Sequence, residues 1–286
     1  MVGDAQRGDI LSGVGATALV VAAARAIETA TPDGSVRDPY AAAFVRIADP
    51  TPSMPVVPSE PEDIWTINAP YFGVRSRYFD DYITRSGCGQ IVDLAAGLDT
   101  RAYRLTWNEA ATFYELDRHG VLDFKQRVLD ILRAEPYCRR RPVPVEFAEE
   151  WVSALIEAGF APEEPTVWIA EGLLNYLPPD AQEALFEGID EHSAAGSRVA
   201  VEVLGERGNF QDIKASMGID LEPMLNATNR TLRPEEWFRR HGWQVTEASA
   251  LDLFDRYQRA PNSLLDPFLY NSRFFTAHKV AATHDS

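Results

Sequence analysis

Three short apolar runs each meet an acid near their ends: Gln90 to Leu94 carries Asp93, Phe113 to Leu116 runs into Asp117, and Thr166 to Ala170 runs into Glu171. Ala95, Ala96 and Gly97 follow the first run, small residues that let a ligand approach the backbone closely. Gln90 to Leu105 reads as strand, tight turn and helix, and in an open parallel sheet such a turn sits at the ligand-binding carboxyl end of a strand. Asp117 stands at the next strand end, where its carboxylate is suited to accept hydrogen bonds from ribose hydroxyls. Glu171 ends a later strand and faces the first turn. These positions predict a nucleoside-type ligand held across neighbouring strand ends.

The elements that must position these groups are legible along the chain. Alanine-rich Thr17 to Thr29 predicts a helix with Thr17 as its cap, and Ala41 to Ala48 a second, short one. Gly13-Val14-Gly15 has no preceding strand and no third glycine in place, so it is a poor dinucleotide fingerprint. Pro50, Pro52, Pro55, Pro58 and Pro61 forbid regular structure between the helices. Tyr71 to Thr84 predicts an amphipathic helix carrying Arg75 and Arg77. His119 to Ala134 is the crossover helix to a third strand, Val143 to Phe147, with Arg139, Arg140 and Arg141 read as a solvated connection. Helices over Glu149 to Ala158 and Pro179 to His192 flank the fourth strand, and Ser197 to Val203 is the fifth. Trp243 to Ser249 and Phe274 to Val280 read as a final, hairpin-like antiparallel pair.

Between the fifth strand and that pair the pattern changes to glycines, asparagines and methionines, the mark of an inserted lid. Phe210, Ile213, Met217, Leu221, Met224 and Leu225 either line an acceptor pocket there or pack the lid itself. The expected organisation is a helical cap with a proline-rich loop over 1–84, a cofactor-binding core over 85–204, a lid over 205–240 and the last strands of the core over 241–286.

A chain of 286 residues, 45% hydrophobic and 24% charged, has an ordinary globular composition and ample material for a core. Its formal net charge of −16 repels phosphate backbones and anionic membranes, so small molecules or proteins are the expected partners. Cys88 and Cys138 lie far apart, without C-x-x-C or a histidine cluster, and suggest neither a disulfide framework nor a metal site. The early apolar run Ala16 to Ile27 is broken by Arg25 and too short to span a bilayer, and a cytoplasmic location is expected.

VDLAAGLDTRAYRL, then YELD, then EGLLNYLP resembles the S-adenosylmethionine-dependent methyltransferases of the leucine carboxyl methyltransferase superfamily. The likeness is to the bacterial branch with actinobacterial methyltransferases and polyketide carboxyl O-methyltransferases, and runs from about Thr17 to Lys279. It implies an α/β, class I methyltransferase Rossmann-like sheet, mostly parallel, of seven strands with the last antiparallel, N-terminal helices and an inserted lid. It implies S-adenosyl-L-methionine as cofactor, with Asp93, Ala95, Gly97 and Asp117 around it. Arg75 would contact the cofactor carboxylate and Glu171 its ammonium group. Glu146 would face the adenine amino group, with Phe147 beside the ring. Where the family has Gly in its L-G-A-G turn this chain has Ala95, whose methyl crowds the methionine part or is absorbed by a backbone shift.

The bland alternatives are a surface ion pair of Arg75 or Arg77 with Asp80 or Asp81, and Glu146 as a helix cap. Methyl transfer from a sulfonium needs positioning and exclusion of water, and a carboxylate acceptor needs no general base. His119, His192, His241, His278 and His284 are the possible bases for a phenol or alcohol, and no motif marks any of them. That favours carboxylate O-methylation of a small molecule over hydroxyl methylation or a non-catalytic cofactor binder. Arg77, Arg101, Arg273 and Tyr176 are the candidates for holding the acceptor, with Tyr176 and Arg273 preferred; Arg101 and Arg104 could instead bind acidic residues nearby, and Tyr176 points either to the reacting region or into the core.

Overall fold

In the computed structural model, residues 10–11, 13–108, 110–146, 151–204 and 232–281 are described. Three helices come first: α1 (Gly13–Ala30), α2 (Ala41–Ala48) and α3 (Ile64–Thr84). Strand β1 (Gln90–Leu94), the short α4 (Arg101–Arg104), β2 (Thr112–Asp117), α5 (His119–Ile131) and β3 (Arg139–Pro144) follow. Then come α6 (Trp151–Glu157), β4 (Thr166–Ala170), a 3-10 turn (Leu174–Tyr176), α7 (Pro179–Glu191) and β5 (Arg198–Val203). The chain closes with α8 (Pro234–Arg240), β6 (Trp243–Ser249), α9 (Ala250–Arg256), α10 (Asp266–Asn271) and β7 (Arg273–Lys279).

The seven strands form one sheet in the order β3-β2-β1-β4-β5-β7-β6. β1 pairs in parallel with both β2 and β4, so the strand order reverses at β1, the position where open α/β sheets bind ligands. β7 runs antiparallel to β5 and to β6. The last pair is not a tight hairpin, because α9 and α10 stand between its strands.

Strand alternation sorts the core into two layers. Val92, Tyr114, Trp168, Val199 and Val201 pack on one face with Trp151, Phe186, Trp237 and Phe238. Ile91, Phe113, Val167, Ile169 and Ala200 pack on the other with α1, α3 and α9. Continuing the second alternation puts Asp93, Glu115, Asp117, Glu171 and Glu202 on the face covered by the N-terminal helices.

Three expectations are corrected. The helix bearing Arg75 begins at Ile64 rather than Tyr71, because Asp63 caps it by accepting from Trp65 N and Thr66 N at 3.0 Å, and Pro70 is accommodated inside. Thr17 lies within α1 and does not cap it. The third strand is Arg139–Pro144, so the arginine run is strand: Arg140 turns inward and its Nε donates to buried Glu115 at 2.8 Å. Pro234–Arg240 packs Trp237 and Phe238 against Phe186. The lid stretch 205–231 and its six apolar candidates lie outside the described residues. Among the described residues no helix is long and apolar enough to cross a membrane.

Candidate functional site

The turn after β1 is held in an unusual backbone state. Ala95 has φ +63 and Gly97 φ +49, the left-handed region that disfavours a side chain. A Cβ on Gly97 would meet Ala18 Cβ at 3.3 Å, so glycine lets α1 close over the turn. Arg25 of α1 fastens this contact, donating to Leu98 O at 2.5 Å and to Asp38 Oδ2 at 2.9 Å. Ala95 carries the strain that Gly would avoid. Ala95→Gly should therefore stabilise the fold by roughly 0.5–1 kcal/mol, the left-handed penalty less the added unfolded-chain entropy. A thermal melt no higher than that of the parent would contradict this.

Asp117 Oδ2 accepts from Gly97 N at 2.6 Å and Oδ1 accepts from Arg118 N at 2.7 Å. Each oxygen retains acceptor capacity beyond these backbone bonds. Burial pushes the Asp117 carboxyl above its usual range, opposed by those two hydrogen bonds. The carboxylate thus joins the ends of β1 and β2.

On the other side of β1 the expected ligand groups touch one another. Glu171, just past β4, lies 2.8 Å from Arg75 Nε through Oε1 and 2.9 Å from Arg101 Nη2 through Oε2. The Arg75 contact is an ion pair bent too far to be a hydrogen bond, and Arg75 Nε has no hydrogen-bond partner among the described residues. Arg75 is buried, and its Nη1 donates to Glu202 Oε2 at 3.0 Å. Neither Asp80 nor Asp81 is its partner. Asp80 is taken by Arg101 at 2.7 Å and by Arg104, while Arg77 lies over the Tyr257 ring at 4.4 Å. Burial works against the charge on Arg75, but Glu202 and Glu171 outweigh it and raise its pKa.

Asp93 is buried in β1 and its Oδ2 has no hydrogen-bond partner among the described residues. Burial, then the nearby Asp99, pushes its carboxyl well above 3.8. The folded state therefore binds a proton that the unfolded state releases above that value, a stabilisation that is lost as pH rises through the folded pKa. Asp93→Asn lacks this slope. Its stability should gain on that of the parent as pH rises above 3.8, by up to about 1.4 kcal/mol per pH unit within the titration window. A difference independent of pH would contradict it.

Tyr176 ends the 3-10 turn half-buried, its hydroxyl sharing a hydrogen bond with Thr17 of α1. It lies close enough to Arg75 and Glu202 to feel both charges, and burial pushes its phenol above 10. These contacts bring together Arg75, Glu171 and Tyr176, with Asp93 beside them on β1 and Asp117 across the turn.

Two expected site residues stand apart. Arg273 starts β7 opposite Val203, but its guanidinium turns to β6 and pairs with Glu247 at 3.0 Å. It lines a surface cleft of about 520 Å³ with Ser249, Asp252 and Tyr270 instead of reaching toward Arg75. Glu146 does not end the third strand; it is exposed in the segment after β3, which stops at Pro144 where paired extension beside β2 runs out. Phe147 lies outside the described residues. Glu202 and Tyr71 were not singled out as ligand-site groups by the sequence, and Arg101, a candidate acceptor clamp, instead pairs with Asp80, Asp99 and Glu171. A lone acid in SRVAVEV was the available signal, since an acid in a buried strand demands a partner.

Residues 18–190 match the family model described as leucine carboxyl methyltransferase. A Mycolicibacterium paratuberculosis protein named as an S-adenosyl-L-methionine-dependent methyltransferase is 42% identical over 94% of this chain and 92% of its own. A Mycobacteroides abscessus protein with the same name is 41% identical over 98% of both chains. The crystal structure of a Thermobifida fusca protein described as a methyltransferase superposes with TM-score 0.54 at 17% identity, covering 77% of this chain and 84% of that one. That structure bears on the fold alone.

Proposed function

This chain belongs to the leucine carboxyl methyltransferase family and is an S-adenosylmethionine-dependent methyltransferase, and from that premise we propose that it methylates a carboxylate of a small molecule of specialised metabolism. The side chains present fit the cofactor. Buried Asp93 Oδ2 and Arg75 Nε have no hydrogen-bond partners among the described residues, and with Glu171 they supply acidic acceptors and a cationic donor. A zwitterionic amino-acid end needs both. In this reading Arg75 receives the cofactor carboxylate, Asp93 and Glu171 its ammonium, and Asp117 the ribose hydroxyls. Glu146 and Phe147 remain assigned to adenine by resemblance alone.

When bound, the cofactor supplies a methyl already activated on a sulfonium, so the protein has to orient the acceptor and exclude water. The observation that carries the carboxylate reading is Tyr176. Its phenol, pushed above 10 by burial, stays protonated at neutral pH and offers a hydrogen-bond donor to an anionic acceptor, not a base to a neutral one. The described histidines support the same reading through their other engagements. The rings of His192 and His241 bond backbone carbonyls of Gly188 and Trp237, and His119 is exposed at the start of α5.

An acceptor ionised throughout the working range predicts kcat/KM independent of pH between 6 and 9. Assays against carboxylic acids and phenols, with cofactor saturating, distinguish the readings. A rate rising with pH on phenols, with acids inert, would replace carboxyl by hydroxyl methylation.

A further inference from the structure

Glu202 is the most deeply placed acid of the site, fully buried on β5 beneath α3. Its two oxygens have separate tasks. Oε1 accepts from the Tyr71 hydroxyl and Oε2 accepts from Arg75 Nη1 at 3.0 Å. Tyr71 and Arg75 stand four residues apart on α3, so one helix face presents both donors to one carboxylate. The neighbouring backbone is shaped around the pair. Gly172 has φ +68, and a Cβ there would lie 3.5 Å from Arg75 Nη1 and 3.7 Å from Glu202 Oε2. Tyr71 is itself held by ring contacts, edge-on to Phe268 at 4.9 Å and to Phe72 at 5.5 Å.

This arrangement divides the Arg75 guanidinium. One nitrogen, Nη1, is anchored to an acid that no ligand can reach, while Nε stays without a hydrogen bond beside Glu171. We propose that Glu202, braced by Tyr71, is the positioning residue of the cofactor site: it fixes and neutralises Arg75 so that the edge of the guanidinium turned to Glu171 recognises the amino-acid end of the cofactor. Glu202 touches no ligand itself. The inference rests on Arg75 as the carboxylate-binding residue.

The test compares two ligands that differ only at that end. S-Adenosylhomocysteine carries the amino-acid end, and 5′-methylthioadenosine lacks it. Titration calorimetry of both against the full chain, Glu202→Gln and Tyr71→Phe gives a ratio of affinities for each protein. Glu202→Gln keeps the shape but cannot accept from both donors, and should weaken S-adenosylhomocysteine about tenfold or more while methylthioadenosine changes less than twofold. Tyr71→Phe should do the same more mildly, about threefold, and keeps the test decisive should the first variant fail to fold. Equal weakening of both ligands, or no change in either, would overturn the positioning role. A parent protein that binds the two ligands equally would instead remove the Arg75 reading on which it stands.

Discussion

Asp117→Ala should weaken S-adenosylhomocysteine binding by about 100-fold or more, since hydrogen bonds from two ribose hydroxyls to an ionised acceptor are worth about 1.5–3 kcal/mol each. The effect has a second part that does not involve ligand. Gly97 N and Arg118 N donate to this carboxylate at 2.6 and 2.7 Å, and its removal leaves both without that partner. The turn would lose the clasp that ties the end of β1 to the end of β2. A stability loss of roughly 1–3 kcal/mol should accompany the loss of affinity. Calorimetric titration well below the melting temperature separates the two, because it reads affinity on folded protein. Affinity within fivefold of the parent would remove Asp117 from the nucleoside site and leave it as a turn clasp only.

Arg101→Met should cost more in stability than any other single change in this region. The guanidinium is 1% exposed and meets Asp80 at 2.7 Å, Asp99 at 2.6 Å and Glu171 at 2.9 Å. Arg104 remains to neutralise Asp80, and Arg75 remains beside Glu171, but Asp99 loses its nearest cation. Removing one partner from a buried ion-pair network costs about 3–5 kcal/mol. That corresponds to a melting temperature lower by on the order of 10 °C for a chain of this size. Burial alone would raise the Asp99 carboxyl, but Arg101 and then Arg104 outweigh it and hold it below 3.8. A depressed carboxylate stabilises the fold above its unfolded pKa, and that stabilisation disappears as pH falls through the folded value. The gap between parent and variant should therefore narrow as pH falls below about 3.8, protonation taking from the parent what the substitution already took from the variant. A loss below about 1 kcal/mol would show that the remaining arginines suffice.

The sequence made the centre of the sheet legible and its edges obscure. QIVDL and TVWIA are buried along their whole length because each lies between two parallel neighbours, and such strands read as continuous apolar runs. RRRPVP is an edge strand, and the inward turn of Arg140 depends on Glu115, a partner 25 residues earlier that no local pattern announces. The helix read from Tyr71 begins at Ile64, where Asp63 caps it, and runs through Pro70. Among the candidate site residues, Asp93, Asp117 and Glu171 were visible because strand ends bring them to one edge. Arg75 was visible by resemblance, but its joint use by Glu171 and Glu202 was not, since those acids lie on different strands. The direction of Arg273 was not legible, since its register on β7 brings it to the same edge while its side chain turns to Glu247 on β6.

The carboxylate acceptor is tested most directly by the chemistry of the product. Incubating the enzyme with methyl-tritiated S-adenosylmethionine and a panel of small carboxylic acids and phenols, then treating the isolated product with mild alkali, distinguishes ester from ether. Carboxyl methylation predicts that the label leaves as volatile methanol. Label that stays in the product after alkali would mean an ether, and would contradict the carboxylate reading.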